Sequence, residues 1–257
     1  SDVAEWINDE LKDPEFEKKD AAFREANQNF SPGNNRYKIH VPYSKPTGTR
    51  WVRRDEYIEG TNLSGLTVTD KKTNIKKGLI NYEDNKQMVS MLVRNYVHQM
   101  QTGLVHSDVH PGNFRITPNN KQIAIFDRYN LLKFDENERA VLKNFIQTMA
   151  SGNVTVVAQM LADHILAMPE NTGRHLESTE IQEIINATTI SNADITSLGP
   201  ELFLALKQSG AHVPIKYTLI MKNLLSLQRM SQKAGFSNIA EAFLATATPE
   251  EIVNLIQ

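Results

Sequence analysis

"LVHSDVHPGNF", residues Leu104 to Phe114, is the stretch on which the reading of this chain turns. It crowds His106, Asp108, His110 and Asn113 around a Pro111-Gly112 pair. His106, Asp108 and His110 recur at every second position, so a continuous strand would place them on one face, as in a His/Asp metal site. Pro111 biases His110 away from regular helix, and a loop fits these residues at least as well as a strand. A metal cage, a catalytic loop and an ordinary polar turn are the readings to separate.

The residues downstream favour the second. Asp108 and Asn113 have the D-x-x-x-x-N spacing of a phosphoryl-transfer loop. "NFRIT", a "PNNK" turn and "QIAIFD" predict a short strand pair, with Ile123 and Ile125 alternating ahead of Asp127. Phosphoryl transfer needs these residue types. One carboxylate orients or deprotonates the acceptor, while an amide oxygen and a second carboxylate hold Mg²⁺ against the phosphates.

Composition bounds the alternatives. The 257 residues suffice for one large domain or a small lobe plus a larger one. Hydrophobic residues are 40% and charged residues 23%, with a net charge of -2, so no global basic field draws the chain to nucleic acid or to an anionic membrane. There is no cysteine, which excludes disulfides, thiolate zinc sites and a cysteine nucleophile. No apolar run approaches the roughly 18 residues of a membrane span. The opening "SDVAEWINDELKD" has neither the basic nor the apolar region of a signal peptide. Val3, Trp6, Ile7 and Leu11 fall at helical spacing from the outset, which suggests that further sequence precedes Ser1.

Residues 1–30 read as helix interrupted near Pro14, with Phe16, Ala22 or Phe23, Ala26 and Phe30 toward one face. Tyr37, Ile39 and Val41, then Trp51 and Tyr57, predict an antiparallel hairpin with a turn at "SKPTG". Residues 61–83 read as a polar connector carrying Lys71, Lys72, Lys76 and Lys77, the one candidate patch for phosphate or lipid headgroups. "NKQMVSMLVRNYVHQMQTG" predicts a helix capped at Gly103. From Asp135 the chain reads as helical throughout: a first helix holding Val141, Leu142, Phe145, Ile146 and Met149 and ended by "SGN", then helices at about 154–167, 178–188, 199–209, 214–233 and 237–246, and one from Thr248. Capping boxes open the first of these helices at Asp135/Glu138 and the last at Thr248/Glu251. The fold class is thus α+β and predominantly α.

"VHSDVHPGNFRI…IAIFDRYN" resembles the signature of the ABC1/UbiB family of atypical, protein-kinase-like proteins, roughly H-A-D-x-H-P-G-N followed by D-F-G. The likeness runs along the chain. "VAEWINDEL…FREANQNF" is similar to the family's αC-type helix, "YKIHVPYSKPTGTRWVRRDEYIEG" to its last small-lobe strands and hinge, and "SGAHVPIKYTLIMKNLLSL" to its large lobe. The resemblance implies a protein-kinase-like fold with a partial N-lobe at 1–58 and a helical C-lobe at 59–257. It implies Asp108 as the catalytic-loop aspartate, and Asn113 and Asp127 as Mg²⁺ ligands. It implies Glu56, Tyr57 and Ile58 as the hinge that holds the adenine of ATP. Glu10 becomes the helix glutamate that pairs with a nucleotide lysine, although the family's E-x-D reads "ELK" here. His106 and His110 become loop-shaping residues, with direct phosphate contact as the alternative.

The resemblance also implies ATPase or small-molecule chemistry linked to quinone or lipid metabolism, and isoprenoid lipid or quinone-synthesis proteins as partners. No nucleic-acid partner is expected. The expected location is cytoplasmic, with peripheral membrane contact left open. Three departures stand out. Residues 1–257 include no glycine- or alanine-rich nucleotide loop, K-x-G-Q segment or strand lysine ahead of the αC-type helix, so alone they are expected to hold Mg-ATP weakly. Ser107 replaces the usual alanine. D-F-G has become Asp127-Arg128-Tyr129, where Arg128 is expected to pair with Asp127 or Asp108 or to contact phosphate. That last change keeps a non-catalytic, pseudokinase-like scaffold in play. A metallohydrolase built on His106, Asp108 and His110 is the remaining alternative.

Overall fold

The helix that precedes the loop is buried almost all round, and the rest of the molecule is arranged about it. A computed structural model describes residues 15–46, 53–65, 82–117, 121–150, 153–172, 178–191 and 195–256. Glu10, Trp51 and the lysines at 71–77 lie outside these residues.

Helix α1 spans Phe16–Asn27 and α2 spans Tyr82–Thr102. On α2 the expected apolar stripe is buried, and so are Ser90, Arg94, Asn95 and Gln99, because neighbours cover the helix on every side. Gly103 ends it at φ +81°, where a Cβ would come within 2.9 Å of the Phe134 carbonyl oxygen, so glycine is required.

The strands form three small sheets. β1 (Lys38–His40), β7 (Gln122–Ile125), β6 (Phe114–Thr117) and β4 (Thr61–Asn62) lie side by side in that order. β2 (Ser44–Pro46) pairs with β3 (Arg53–Asp55), and β5 (Leu104–His106) with β8 (Leu131–Lys133). The expected strand pair is present as the antiparallel β6–β7 hairpin. The expected hairpin of residues 37–57 is corrected. Tyr37, Ile39 and Val41 are indeed buried alternately, but β1 runs parallel to β7, with Ile39 opposite Ile123. The local hairpin is β2–β3, so "SKP" is strand rather than turn. Period-2 alternation identifies a strand and is silent about its partner, and Ile39 finds a fully buried isoleucine far along the chain.

After β8 come α3 (Glu136–Ala150), α4 (Val154–Leu166), α5 (Ser178–Ser191), α6 (Ile195–Gln208), α7 (Ile215–Lys233), α8 (Ile239–Leu244) and α9 (Pro249–Ile256). Both expected capping boxes close. The Glu138 N–H donates to Asp135 Oδ1 at 2.9 Å, and the Thr248 N–H to Glu251 Oε2 at 2.7 Å. α6 starts earlier than expected and carries Pro200 inside it. α2 packs against α1, α3, α7, α8, β1 and β5, so a single core runs from the small sheets into the helical part. This is the α+β, mostly helical architecture expected from the sequence. Among the described residues, no helix is long and apolar enough to cross a membrane.

Candidate active site

Two ladders bring the chemistry-bearing segments together. β5 delivers the loop at His106, and β8 takes up the chain after Asp127, with His106 opposite Leu131. The β6–β7 hairpin closes the other side, with Phe114 opposite Ile125. One bond beyond the ladder, the Phe126 N–H donates to the Asn113 carbonyl at 2.9 Å. That bond pairs Asn113 with Phe126, the residue before Asp127.

Asp127 has φ +55°, in the left-handed region that non-glycine residues rarely occupy. Such strain persists only where the surroundings over-determine it, and it concentrates at functional sites. Here both neighbours are pinned. The Phe126 carbonyl accepts from His106 Nε2 at 2.8 Å. Arg128 donates to the Ile125 and Pro42 carbonyls, each at 2.7 Å, and to Asp20 Oδ1 at 2.8 Å. Among the described residues, the exposed Asp127 carboxylate has no hydrogen-bond or ion-pair partner.

The histidines hold backbone. His106 is 1% exposed, and its Nδ1 accepts from the Asp108 N–H at 3.1 Å. Nε2 must therefore carry the proton it donates to Phe126, so the ring is neutral. Burial lowers the His106 pKa in the same direction, against the pull of Asp127 and Asp108. His110 Nδ1 accepts from the Gly112 N–H at 3.0 Å, capping the short 3₁₀ turn Pro111–Asn113, and its Nε2 stands 3.3 Å from Asp108 Oδ2. With both His106 nitrogens committed, the His106/Asp108/His110 metal cage does not form. Among the described residues, no group of three or more His, Cys, Asp or Glu side chains is placed to hold a metal.

Asn113 Nδ2 donates to the Asp108 carbonyl at 2.9 Å, and at a longer 3.4 Å to Asp108 Oδ2. The amide oxygen is thereby left without a bond from this contact, and Asp127, one residue beyond Phe126, carries an exposed carboxylate. An oxygen-only donor set of this kind suits Mg²⁺. Asp108 Oδ1 accepts from Lys222 Nζ at 2.6 Å. Partial burial would raise the Asp108 pKa, but the hydrogen bond and charge of Lys222 hold it below the usual carboxylate value.

The expected hinge, Glu56 to Ile58, runs beside the hairpin that carries Asn113. The Ile58 carbonyl accepts from Arg115 Nη1 at 2.8 Å, and the Glu56 N–H donates to the Tyr43 carbonyl at 2.8 Å. Tyr57 is 83% exposed. Just beyond, Gly60 lies so close to β6 that a Cβ would meet the Ile116 carbonyl oxygen at 2.2 Å.

Arg128 corrects an expectation. It pairs with neither Asp127 nor Asp108 but with Asp20 on α1, in a pair whose side chains are 4% and 5% exposed. Tyr129 follows it away from the loop, donating to Asp55 Oδ2 at 3.2 Å and stacking on Phe16. The buried face of α1 is accordingly Phe16, Asp20, Phe23 and Asn27 rather than the all-apolar face expected.

Sequence reasoning missed the residues that grip the loop from outside it. An amide relay crosses the core: Asn95 donates to Asn27, Gln99 to Asn95, and the His106 N–H to Gln99 Oε1 at 2.9 Å. On α7, the fully buried Asn223 accepts from the Val109 N–H at 3.0 Å and donates to the His106 carbonyl at 2.8 Å and to Tyr96 Oη at 3.0 Å. The available signal was a polar residue on an apolar stripe: Asn223 falls among Ile220, Leu224 and Leu227, and Asp20 between Phe16 and Phe23. Asn223→Ala leaves a buried N–H and a buried carbonyl unpaired, so it is expected to cost about 2–4 kcal/mol in urea denaturation. A loss under about 1 kcal/mol would mean that the loop is held without it.

The family model for the ABC1 atypical kinase-like domain matches residues 2–161. Among solved structures, Rv3197 from Mycobacterium tuberculosis, determined in complex with erythromycin, is similar at 17% identity with a TM-score of 0.50. The match covers 94% of this chain and 57% of that one, so the chain spans little more than half of that protein's length. At this identity the likeness bears on the fold alone. Comparison with curated proteins finds no match.

Proposed function

The chain belongs to the ABC1 atypical kinase-like family, and on that premise we propose that it carries out Mg-ATP-dependent phosphoryl chemistry at Asp108, Asn113 and Asp127. The observation that supports the reading is the Phe126-to-Asn113 backbone bond, which ties the loop to the residue preceding Asp127, with Asn113 also bonded to Asp108. Magnesium, when bound, neutralises charge on the phosphates. Asn113 and Asp127 are the residues that hold it. Asp108, kept ionised by Lys222, orients an acceptor hydroxyl or water and takes its proton. His106 fixes the backbone of Asp108 and of Phe126 with one neutral ring, so the acid and the metal-binding segment keep a set separation. Glu56, Tyr57 and Ile58 form the adenine edge of the cleft. The link to isoprenoid-quinone or lipid metabolism rests on family membership, and no residue of the site selects an acceptor.

A second reading is a pseudokinase-like scaffold. The Arg128 and Tyr129 anchors favour it, since they fasten to α1 and β3 a segment that D-F-G leaves free to move. Thermal melts and phosphate release separate the two. In the full-length protein, ATP at about 100 times its Kd is expected to add about 2.7 kcal/mol of stability with Mg²⁺ and much less with EDTA. Phosphate release accompanies binding in the enzyme and is missing in the scaffold. ATP stabilisation that is indifferent to EDTA would contradict both metal ligands.

A further inference from the structure

We infer that Lys222, on α7, is a positioning residue of the phosphoryl-transfer site, supplying the fixed cation that the loop itself lacks. The inference rests on the phosphoryl-transfer reading of Asp108. A phosphoryl-transfer site gathers negative charge from its carboxylates and from the phosphates, and preorganised cations aimed at that charge are a principal source of rate. Residues Val109 to Gly112, between Asp108 and Asn113, include no lysine or arginine. Arg128, the cation nearest in sequence to the metal-binding acid, is drawn away to Asp20. Lys222 Nζ instead lies 2.6 Å from Asp108 Oδ1.

As a contribution to stability this pair is minor. Its side chains are 51% and 39% exposed, and solvent-screened ion pairs contribute little. Its placement is nevertheless fixed. The next residue, Asn223, is fully buried and bonds the backbone on both sides of Asp108, at His106 and at Val109. Met221 and Leu224 on either side are core residues. The register of α7 against the loop is thus set by Asn223, and that register delivers Lys222 to the carboxylate. An exposed lysine of little structural value, seated on the central acid by a buried neighbour, is suited to act on substrate. It holds Oδ1 so that the carboxylate presents one orientation, and it brings a positive charge within one carboxylate of an acceptor held by Asp108.

The test uses the full-length protein with Lys222→Met and Lys222→Arg. Mg-ATP binding is measured by calorimetry, phosphate release gives kcat and KM, and urea denaturation checks the fold. The expected result for Lys222→Met is an unchanged denaturation midpoint, a KM for Mg-ATP within about twofold, and a kcat lower by about 10²-fold. Lys222→Arg restores most of the loss. Wild-type kcat in Lys222→Met, or an equal loss in the Met and Arg variants, overturns the role of Lys222 while leaving the site intact. A wild-type protein that neither binds Mg-ATP nor releases phosphate overturns the phosphoryl-transfer reading and this inference with it.

Discussion

Asp108→Asn lowers kcat for ATP turnover in the full-length protein by about 10²–10⁴-fold, the range a positioned general base supplies, with little change in the KM for Mg-ATP. The substitution keeps the shape of the side chain and removes its charge and basicity. The loop should survive it, because the loop is held through backbone atoms: the Asp108 N–H on His106, the Asp108 carbonyl on Asn113, and Val109 on Asn223. The metal ligands Asn113 and Asp127 are untouched, so nucleotide binding persists. The separation of kcat from KM is the informative part, since an interaction made in the transition state shows as a loss in kcat and kcat/KM together. Turnover within about tenfold of wild type would remove Asp108 from the chemistry.

Arg128→Met is expected to cost about 3–5 kcal/mol in chemical denaturation, because it strands a buried carboxylate. Asp20 is 4% exposed, and its bond to Arg128 Nε is 2.8 Å long. The same substitution frees the Pro42 and Ile125 carbonyls, so the linker after β1 and the strand leading to Asp127 lose an anchor together. The double variant Asp20→Leu/Arg128→Met should recover most of the loss, since an apolar pair of similar volume replaces a buried ion pair at little cost. A single variant that loses less than about 1 kcal/mol, or a double variant no better than the single, would mean that the pair is not what joins α1 to this segment.

These two residues also mark where the sequence is legible and where it is not. Asp108, Asn113 and Asp127 are readable because their relation is local: a fixed spacing, a short hairpin and a strand end. The capping boxes at Asp135 and Thr248 are readable for the same reason, each being closed within one helical turn. Arg128 is conspicuous in the sequence, yet its partner lies 108 residues away on a helix face that apolar periodicity reads as Phe16, Phe23 and Ala26. Lys222 meets Asp108 across 114 residues and sits on an exposed helical position that no pattern distinguishes. The parallel seating of β1 on β7 is unreadable for a related reason, since alternation fixes which side chains turn inward and leaves open what they meet. Polar residues on apolar stripes, Asp20, Asn27 and Asn223, were the signal that non-local bonds exist. Their partners required the fold.

Titration calorimetry of ATP into the full-length protein, with Mg²⁺ and with EDTA, in the wild type and in Asp127→Ala, tests the central claim most directly. Asp127 is held in a left-handed conformation, its carboxylate is unpaired among the described residues, and the residue before it is bonded to the Asn113 backbone. The account predicts wild-type binding that depends on Mg²⁺ and is lost in Asp127→Ala. Equal binding in EDTA, or undiminished Mg-ATP binding in Asp127→Ala, would contradict it.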